Sequence, residues 1–368
     1  MKIVHIETGR HLYGGALQVL FLLEGLSKRG VENILVCTRG AEIARQARSF
    51  AKVFETPMGG ELDLLFPLRL SSMIAKTKPD IVHTHSRRGA DVWGGVCARL
   101  RKTATLITRR VDNREWPPLA RLKYGSYDRI VTISDGIRQV LLDEGISPER
   151  VACVHSAVDV EKYRFKRDRE RFAREFGVPV TSPLIGVIAQ LIPRKGHRYL
   201  LEILPRLVSR FSELKVIFFG KGPLEEELRE YIRQQKLDNY VQLAGFRNDM
   251  PQILPCLDLV VHPALMEGLG VSLLQAAASR VPIVAARAGG IPEIVRHGVN
   301  GYLTSPANSN ELADAIIDIL SSPDKAEQMG KEGFDLVQKE FSIDSMVEGN
   351  IKVYEQITGI RKPSANRL

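Results

Sequence analysis

The stretch HPALMEGLGVSLLQAAASRVPIVAARAGGIPEIVRHGVNGYL (residues 262–303) decides how this chain is read. Glu267 closes a loop, and the glycines of GLG let backbone approach a ligand. An amphipathic helix starts near Val271, with Gln275 on it, eight positions after Glu267. Glu267 then addresses one part of a ligand and Gln275 another. The amides of Leu269, Gly270 and Val271 point at an anion between them. A buried run, PIVAA (282–286), and a Gly-rich loop with Glu293 close behind it complete the block. Strand, ligand-facing loop, helix and buried strand in this order make a βαβ unit.

The same alternation runs outward in both directions. Upstream of the block, LIGVIA (184–189), KVIFFG (215–220), VQLAGF (241–246) and LDLVVHP (257–263) read as strands, and GYLT (301–304) ends the series. An earlier series comprises KIVHIE (2–7), NILVCT (33–38), DIVHTH (80–85), TLITRR (105–110), RIVTIS (129–134) and RVACVH (150–155). Near-continuous apolar runs separated by helical patterns, such as Ala16 to Lys28 and Asp135 to Glu144, predict parallel sheets buried on both faces. A charged stretch, EKYRFKRDRERFAREFG (161–177), separates the series. The expectation is an α/β protein with two Rossmann-like, doubly wound domains, 1–165 and 176–341. Residues 342–368 form a last helix and a frayed tail.

Composition agrees. With 368 residues, 44% hydrophobic and 26% charged, the chain has the balance of a globular protein, which excludes disorder, collagen and a membrane bundle. Cys37, Cys97, Cys153 and Cys256 lie far apart without CxxC spacing, which predicts buried thiols rather than disulfides or zinc. The start MKIVHIETG does not read as a signal peptide, and no apolar run is long enough to cross a bilayer. The net charge of +9 is uneven. Residues 1–175 hold 31 Lys and Arg against 21 Asp and Glu, whereas residues 176–368 hold 21 against 22. Such asymmetry points to an anionic partner for the first half.

Three further segments carry chemistry. In HLYGGALQVLFLLEGL (11–26), Gly14 and Gly15 supply a turn before a helix whose amides face an anion. The segment is not GxGxxG, so it is no dinucleotide fingerprint. A plain βα turn is the alternative. In DIVHTHSRRG (80–89), His83 and His85 share one strand face at its C-terminal end. A metal pair there lacks a carboxylate at suitable spacing. His85 at an active-site edge and a hydrogen-bonded structural pair both remain open. In AQLIPRKGHRYLLEIL (189–204), Arg194 and Lys195 precede a helix start, where a cation makes a phosphate clamp or a solvated basic turn.

With these residues in place, the chain resembles the retaining glycosyltransferases of the GT-B fold that carry a Glu-x7-Glu motif, family 4 or group 1. The similarity runs in order through the GG turn, the HxH strand, the TIS-helix segment, V-D-x-x-x-Y near residue 160, the KGH loop, EGLG and GGIPE followed by NG. It implies two Rossmann-like domains facing a central cleft and a nucleotide sugar held mainly by the second one. The last helix crosses back to the first. It also implies metal-independent transfer with retention and no cofactor beyond the nucleotide-sugar co-substrate. The absence of Asp-x-Asp fits that expectation.

Carried over to matching positions, Lys195 neutralises the donor diphosphate, Glu267 meets the sugar hydroxyls, and the amides around Leu269, Gly270 and Val271 meet the phosphate. Position 275 meets the ribose, Gly14 and Gly15 line donor phosphates and acceptor, and His85 sits at the reacting sugar. The pattern departs at Gln275, where the family usually has Glu, and at Gln190, where it usually has Arg. Arg194 is the nearby candidate to stand in. Ser156-Ala157 replaces the usual Asn-Gly.

The expected acceptor domain carries RRGADVWGGVCARLRK (87–102), RRVDNREWPPLARLKYG (109–125) and the apolar GGELDLLFPLRLSS (59–72). Together they suggest a peripheral enzyme at the cytoplasmic face of an anionic membrane. Its acceptor would be a cell-envelope glycan or glycolipid such as lipopolysaccharide core, its donor a UDP- or GDP-sugar. Ordinary salt bridges are the rival account of these arginines. No nucleic-acid module is present. A nucleotide-sugar-binding subunit without activity, and another enzyme on the same fold such as an epimerase or phosphorylase, are the rival functions.

Overall fold

A computed structural model describes residues 1–58, 63, 65–85 and 89–359. The chain forms two compact units, Met1–Ala157 with the C-terminal segment from Ile343, and Val158–Ser342. In the first, β1 (Lys2–Glu7), β2 (Glu32–Thr38), β3 (Lys52–Thr56), β4 (Ile81–Thr84), β5 (Ala104–Arg109), β6 (Arg129–Thr132) and β7 (Val151–Cys153) make one parallel sheet in the order β3-β2-β1-β4-β5-β6-β7. In the second, β8 (Leu184–Ile188), β9 (Lys215–Phe219), β10 (Val241–Gly245), β11 (Leu259–His262), β12 (Ile283–Ala286) and β13 (Gly301–Thr304) run in the order β10-β9-β8-β11-β12-β13. Both units are Rossmann-like, and in each the order reverses beside the first strand, at β1/β4 and β8/β11. Ligands of open α/β sheets collect at such a reversal, outside the carboxyl ends of the strands.

Alternation along the strands builds two core layers per sheet. Ile3 packs with Leu22 and Leu26 of the Gly14–Lys28 helix, whereas Val4 and Ile6 pack with Phe66, Leu70 and Ile74 of the Phe66–Thr77 helix. β4, β11 and β12 are buried along their whole length, as their continuous apolar patterns require. β3 escapes the sequence pattern because KVFET is a half-buried edge strand without an apolar run.

The units divide between Ala157 and Val158, so residues 158–165 and the charged stretch 161–177 belong to the second unit, not to the first or to a linker. Val158 donates its amide to Phe341 and pairs with Ser342. Arg169, at the start of the Arg169–Phe176 helix, donates to the carbonyls of Cys256 and Ser182 and to Asp258. Phe172 and Phe176 are buried, which converts an apparently solvated charge run into a packed helix.

The Ile343–Thr358 helix belongs to the first unit, where a side chain at Gly25 would collide with Val347 and one at Gly349 with Val154. Gln18 closes this unit by donating to the carbonyl of Ala157 and accepting from its amide, both at 2.7 Å. All four cysteines are free. No helix among the described residues is long and apolar enough to cross a membrane.

Candidate active site

In the second unit, the end of β11 and the loop after β8 converge on one carboxylate. Lys195 sits on a single helical turn, Pro193–Lys195, and is buried with its Nζ on Oε2 of Glu267. His262, the last residue of β11, donates from Nε2 to the same oxygen at 2.8 Å. Burial works to raise the Glu267 pKa, but the hydrogen bond and charge of His262, with those of Lys195, outweigh it and hold the carboxyl down to about 2.

The two loops are stitched together by backbone. Leu265 donates to the Arg194 carbonyl at 2.8 Å, and Gly196, at φ +69°, lies where a Cβ would come 2.0 Å from the Pro263 carbonyl. On the other side, Gly289, at φ +51°, packs against Glu267 so closely that a Cβ would fall 1.8 Å from its carbonyl oxygen. Gly289→Ala is therefore expected to destabilise the protein by about 2–4 kcal/mol, through both the left-handed backbone and the overlap, measured by denaturant unfolding. A loss below 1 kcal/mol would mean that the loop moves freely.

The Val271–Ala278 helix starts as expected, with Gly270 at φ +100° as its cap. It has no side-chain cap and no acid in its first turn, which leaves its positive end available to an anion. Leu269 and Gly270 are buried, and Val271 and Gln275 are half-buried. Burial raises the pKa of the Tyr163 hydroxyl, with Gln275 beside it working the other way. Gln190 and Arg194 are exposed, unlike Lys195. His197, next along the KGH loop, is buried with neither ring nitrogen hydrogen-bonded. Burial, then the charges of His262 and Lys195, push it down to about 4.

In the first unit, Gly14 and Gly15 do not form a turn before a helix. They are its first two residues, capped by Tyr13, and neither has a positive φ. A Cβ would fit at both: on Gly14 it would meet nothing within 4 Å, and on Gly15 it would make an ordinary contact with Arg110 at 3.6 Å. His85 is buried at the end of β4, and Gly15, His85, Glu7, Arg109, Arg110, Lys123 and others line a pocket of about 530 Å³.

Behind His85 stand His83 and His5, the latter its neighbour's register partner on β1. His5 Nδ1 and His85 Nε2 lie 3.0 Å apart, while both nitrogens of His83 are hydrogen-bonded, to the hydroxyls of Tyr354 and Thr108. One nitrogen from each of the three imidazoles falls within 4.8 Å of the others. Burial, aided by mutual repulsion, holds His83 and His85 well below the usual imidazole range, and burial takes His5 down to about 3. The cluster is a stack of neutral imidazoles at neutral pH.

Much of the basic character of residues 109–125 is neutralised internally. Arg109 is paired with Glu144, Lys123 with Glu115 and Asp91, and Arg114 with Asp143. By unit the asymmetry is nonetheless complete. Val158–Ser342 holds 24 basic and 24 acidic residues, and the rest of the chain 28 against 19, the whole of the +9. Trp93 packs on the core, whereas Trp116, Leu119 and Leu122 are exposed around the Pro117–Gly125 helix. Within the proposed interfacial segment, residues 59–62 and 64 lie outside the described residues, as do Ser86, Arg87 and Arg88 and the tail from 360.

Two family models match along the chain: "Glycosyl transferases group 1" over residues 168–335 and "Glycosyltransferase Family 4" over residues 13–162. The chain belongs to the group 1 glycosyltransferases. Among its relatives, the N-acetyl-alpha-D-glucosaminyl L-malate synthase of Bacillus anthracis is 22% identical, over 96% of this chain and 93% of that one. The UDP-Gal:alpha-D-GlcNAc-diphosphoundecaprenol alpha-1,3-galactosyltransferase of Escherichia coli is 22% identical over 86% and 87%. The crystal structure of Anabaena HepE in complex with UDP superposes with a TM-score of 0.84 at 21% identity, covering 97% of this chain and 100% of that one, a likeness of fold. The transferase thus has the GT-B pair of parallel-sheet units.

Of the sequence-derived residues, the second unit gathers Lys195 and Glu267 into direct contact. Leu269, Gly270, Val271 and Gln275 follow on the adjoining helix start, and Gly14, Gly15 and His85 lie in the first unit. Sequence reasoning missed His262, His5 and Arg110 as site residues and gave Tyr163 no role. His5 was legible in principle, because KIVHIE and DIVHTH each place a histidine at the same depth of neighbouring strands.

Proposed function

We propose that this glycosyltransferase moves a sugar from a UDP- or GDP-sugar to a hydroxyl of a cell-envelope glycan or glycolipid, with retention at the anomeric carbon and without a metal ion. The observation that carries the reading is the buried Lys195–Glu267–His262 cluster beside the uncapped Val271–Ala278 helix. When the bond from the anomeric carbon to the diphosphate breaks, negative charge grows on the leaving oxygen. Lys195 and the helix amides meet that charge. The acceptor oxygen bonds to the same carbon on the same face, and its proton passes to the departing phosphate. Glu267, ionised at neutral pH, accepts hydrogen bonds from sugar hydroxyls, and Gln275 serves the ribose.

UDP in the HepE complex and the lipid-linked acceptor in the name of the E. coli relative support this donor and acceptor class. The excess charge of the first unit and the exposed Trp116, Leu119 and Leu122 support contact with the inner face of an anionic membrane. The deciding experiment is a thermal-shift screen over UDP-, GDP-, ADP- and CMP-sugars, followed by NMR of the product anomer. Stabilisation by none of them, or an inverted linkage, sinks the reading. Liposome flotation at graded salt tests the membrane contact.

Tyr163 orients Gln275 in this scheme. With the Tyr163 hydroxyl beside Gln275, Tyr163→Phe is expected to weaken donor affinity about 2- to 10-fold with kcat preserved, the loss of one hydrogen bond formed when the ribose is bound. Titration calorimetry with the donor that the screen selects measures it; unchanged affinity removes Tyr163 from the scheme. A second reading, a nucleotide-sugar-binding subunit without turnover, is favoured by exposed Gln190 in place of the usual cation. Saturable binding without donor consumption in the presence of an acceptor extract would establish it.

A further inference from the structure

Arg109 ends β5 and Arg110 follows it, and the extended chain sends them to different surroundings. Arg109 donates to both carboxylate oxygens of Glu144 and to the Tyr124 hydroxyl. Arg110 has no such sink. Its Nε is buried without a hydrogen-bond partner, and among the described residues it makes no ion pair. Its side chain passes Gly15, with Cδ 3.6 Å from where a Cβ would stand. Burial pushes the guanidinium down to about 10, against the attraction of Glu7, so it stays cationic at neutral pH.

Glu7 is the carboxylate that offsets it, yet its Oε1 is already taken by the Gly9 amide at 2.8 Å. The adjoining Gly14–Lys28 helix has no acid in its first turn and no side-chain cap. His85, on the same pocket, also leaves a buried nitrogen, Nδ1, unpartnered. Two other cations of the lining, buried Arg109 and half-buried Lys123, are neutralised.

We infer that Arg110 is an oxyanion-binding residue: a phosphate or carboxylate oxygen of a substrate sits in this pocket against its guanidinium, beside the start of the Gly14–Lys28 helix. A guanidinium with a buried, unused donor is costly in the empty protein, and a planar fork whose stem passes the first turn of a helix suits these two groups. The source of the oxyanion rests on the glycosyltransferase reading. It is either a phosphate of the donor or an acidic group on the acceptor.

The test compares the full-length protein with Arg110→Gln and Arg110→Lys. Binding of UDP, of inorganic phosphate and, with UDP present, of L-malate (the acid named for the Bacillus relative) is measured by calorimetry, together with the ligand-free Tm. Arg110→Gln is expected to weaken binding of at least one probe about 10- to 100-fold, with Arg110→Lys in between. The ligand-free Tm is expected to hold or rise, because an unpaired buried charge is relieved. A structural arginine would do the opposite, lowering Tm and sparing binding. Loss confined to UDP assigns the oxyanion to the donor, and loss confined to malate assigns it to the acceptor. The inference is overturned if the parent binds none of the probes, if Arg110→Gln binds all of them as the parent does, or if both variants fail to fold. The transferase reading fails separately, on absence of any nucleotide-sugar response in the parent.

Discussion

Lys195→Ala is expected to lower turnover of the nucleotide sugar about 10²- to 10³-fold while the protein remains folded, the loss seen when one preorganised donor to a developing oxyanion is removed. Lys195 is the buried cation of this cluster, with its side chain 9% exposed, and it approaches from a turn held in place by the Gly196 contact and the Leu265–Arg194 hydrogen bond. In the empty protein it is neutralised by Glu267, so the donor diphosphate must share or displace that contact. A fixed ammonium is then present before charge develops, with no reorganisation at the moment of bond breaking.

The substitution also strips Glu267 of one of two partners, which raises its pKa from about 2 and weakens its grip on sugar hydroxyls. The sign of the linked stability effect follows. A carboxylate depressed in the folded state contributes stability above its unfolded pKa near ~4.3, and loses it as pH falls toward 2. Lys195→Ala should therefore be less stable than the parent at pH 7 and approach it below pH 3. Single-turnover rates at saturating donor separate chemistry from binding. A rate within threefold of the parent would remove Lys195 from the catalytic scheme.

The βαβ alternation was readable because strands buried on both faces must be nearly continuous in apolar residues. β3 was not, since an edge strand need not be. The Glu267 block was readable because a φ +100° glycine cap, an uncapped helix start and a loop carboxylate leave their marks within nine residues. Its partners were harder. His262 lies in the same block, but nothing in VVHP distinguishes a histidine that hydrogen-bonds Glu267 from one that fills space. Tyr163 reaches Gln275 across more than a hundred residues of chain. The charged stretch 161–177 read as a linker because its buried side, Phe172 and Phe176, is short and outnumbered by arginines. The Gly14-Gly15 pair read as a turn because glycine is the residue of turns, whereas here it opens a helix with negative φ. In each miss, composition was visible and the partner was not.

Glu144→Ala is expected to destabilise the protein by about 3 kcal/mol, the low end for a broken buried pair, because it leaves buried Arg109 with Glu115 at 3.8 Å as its one remaining carboxylate. The two side chains are 2% and 3% exposed. Glu144 accepts from Arg109 Nη1 at 2.9 Å and also from the Glu115 amide at 2.7 Å, so the substitution leaves two donors without an acceptor. Tyr124 and the carbonyls of Val111 and Asn113 still bind the guanidinium without charge, and the Glu115 carboxylate, 3.8 Å away and already paired with Lys123, balances it only in part. Glu144→Gln keeps an acceptor and should cost less. The double change Arg109→Met with Glu144→Leu should recover most of the loss, since a buried pair exchanged for apolar groups of similar volume is near neutral. Denaturant unfolding of the parent, Arg109→Met, Glu144→Leu and the double variant gives the coupling, and a Glu144→Ala loss below 1 kcal/mol would show that water reaches Arg109. The same set bears on the membrane. Arg109 belongs to an Arg-rich segment that sequence alone assigns to an anionic surface, yet its charge is spent inside the fold. The double variant should thus bind anionic liposomes as the parent does, while removal of the exposed Trp116 and Leu122 should weaken flotation.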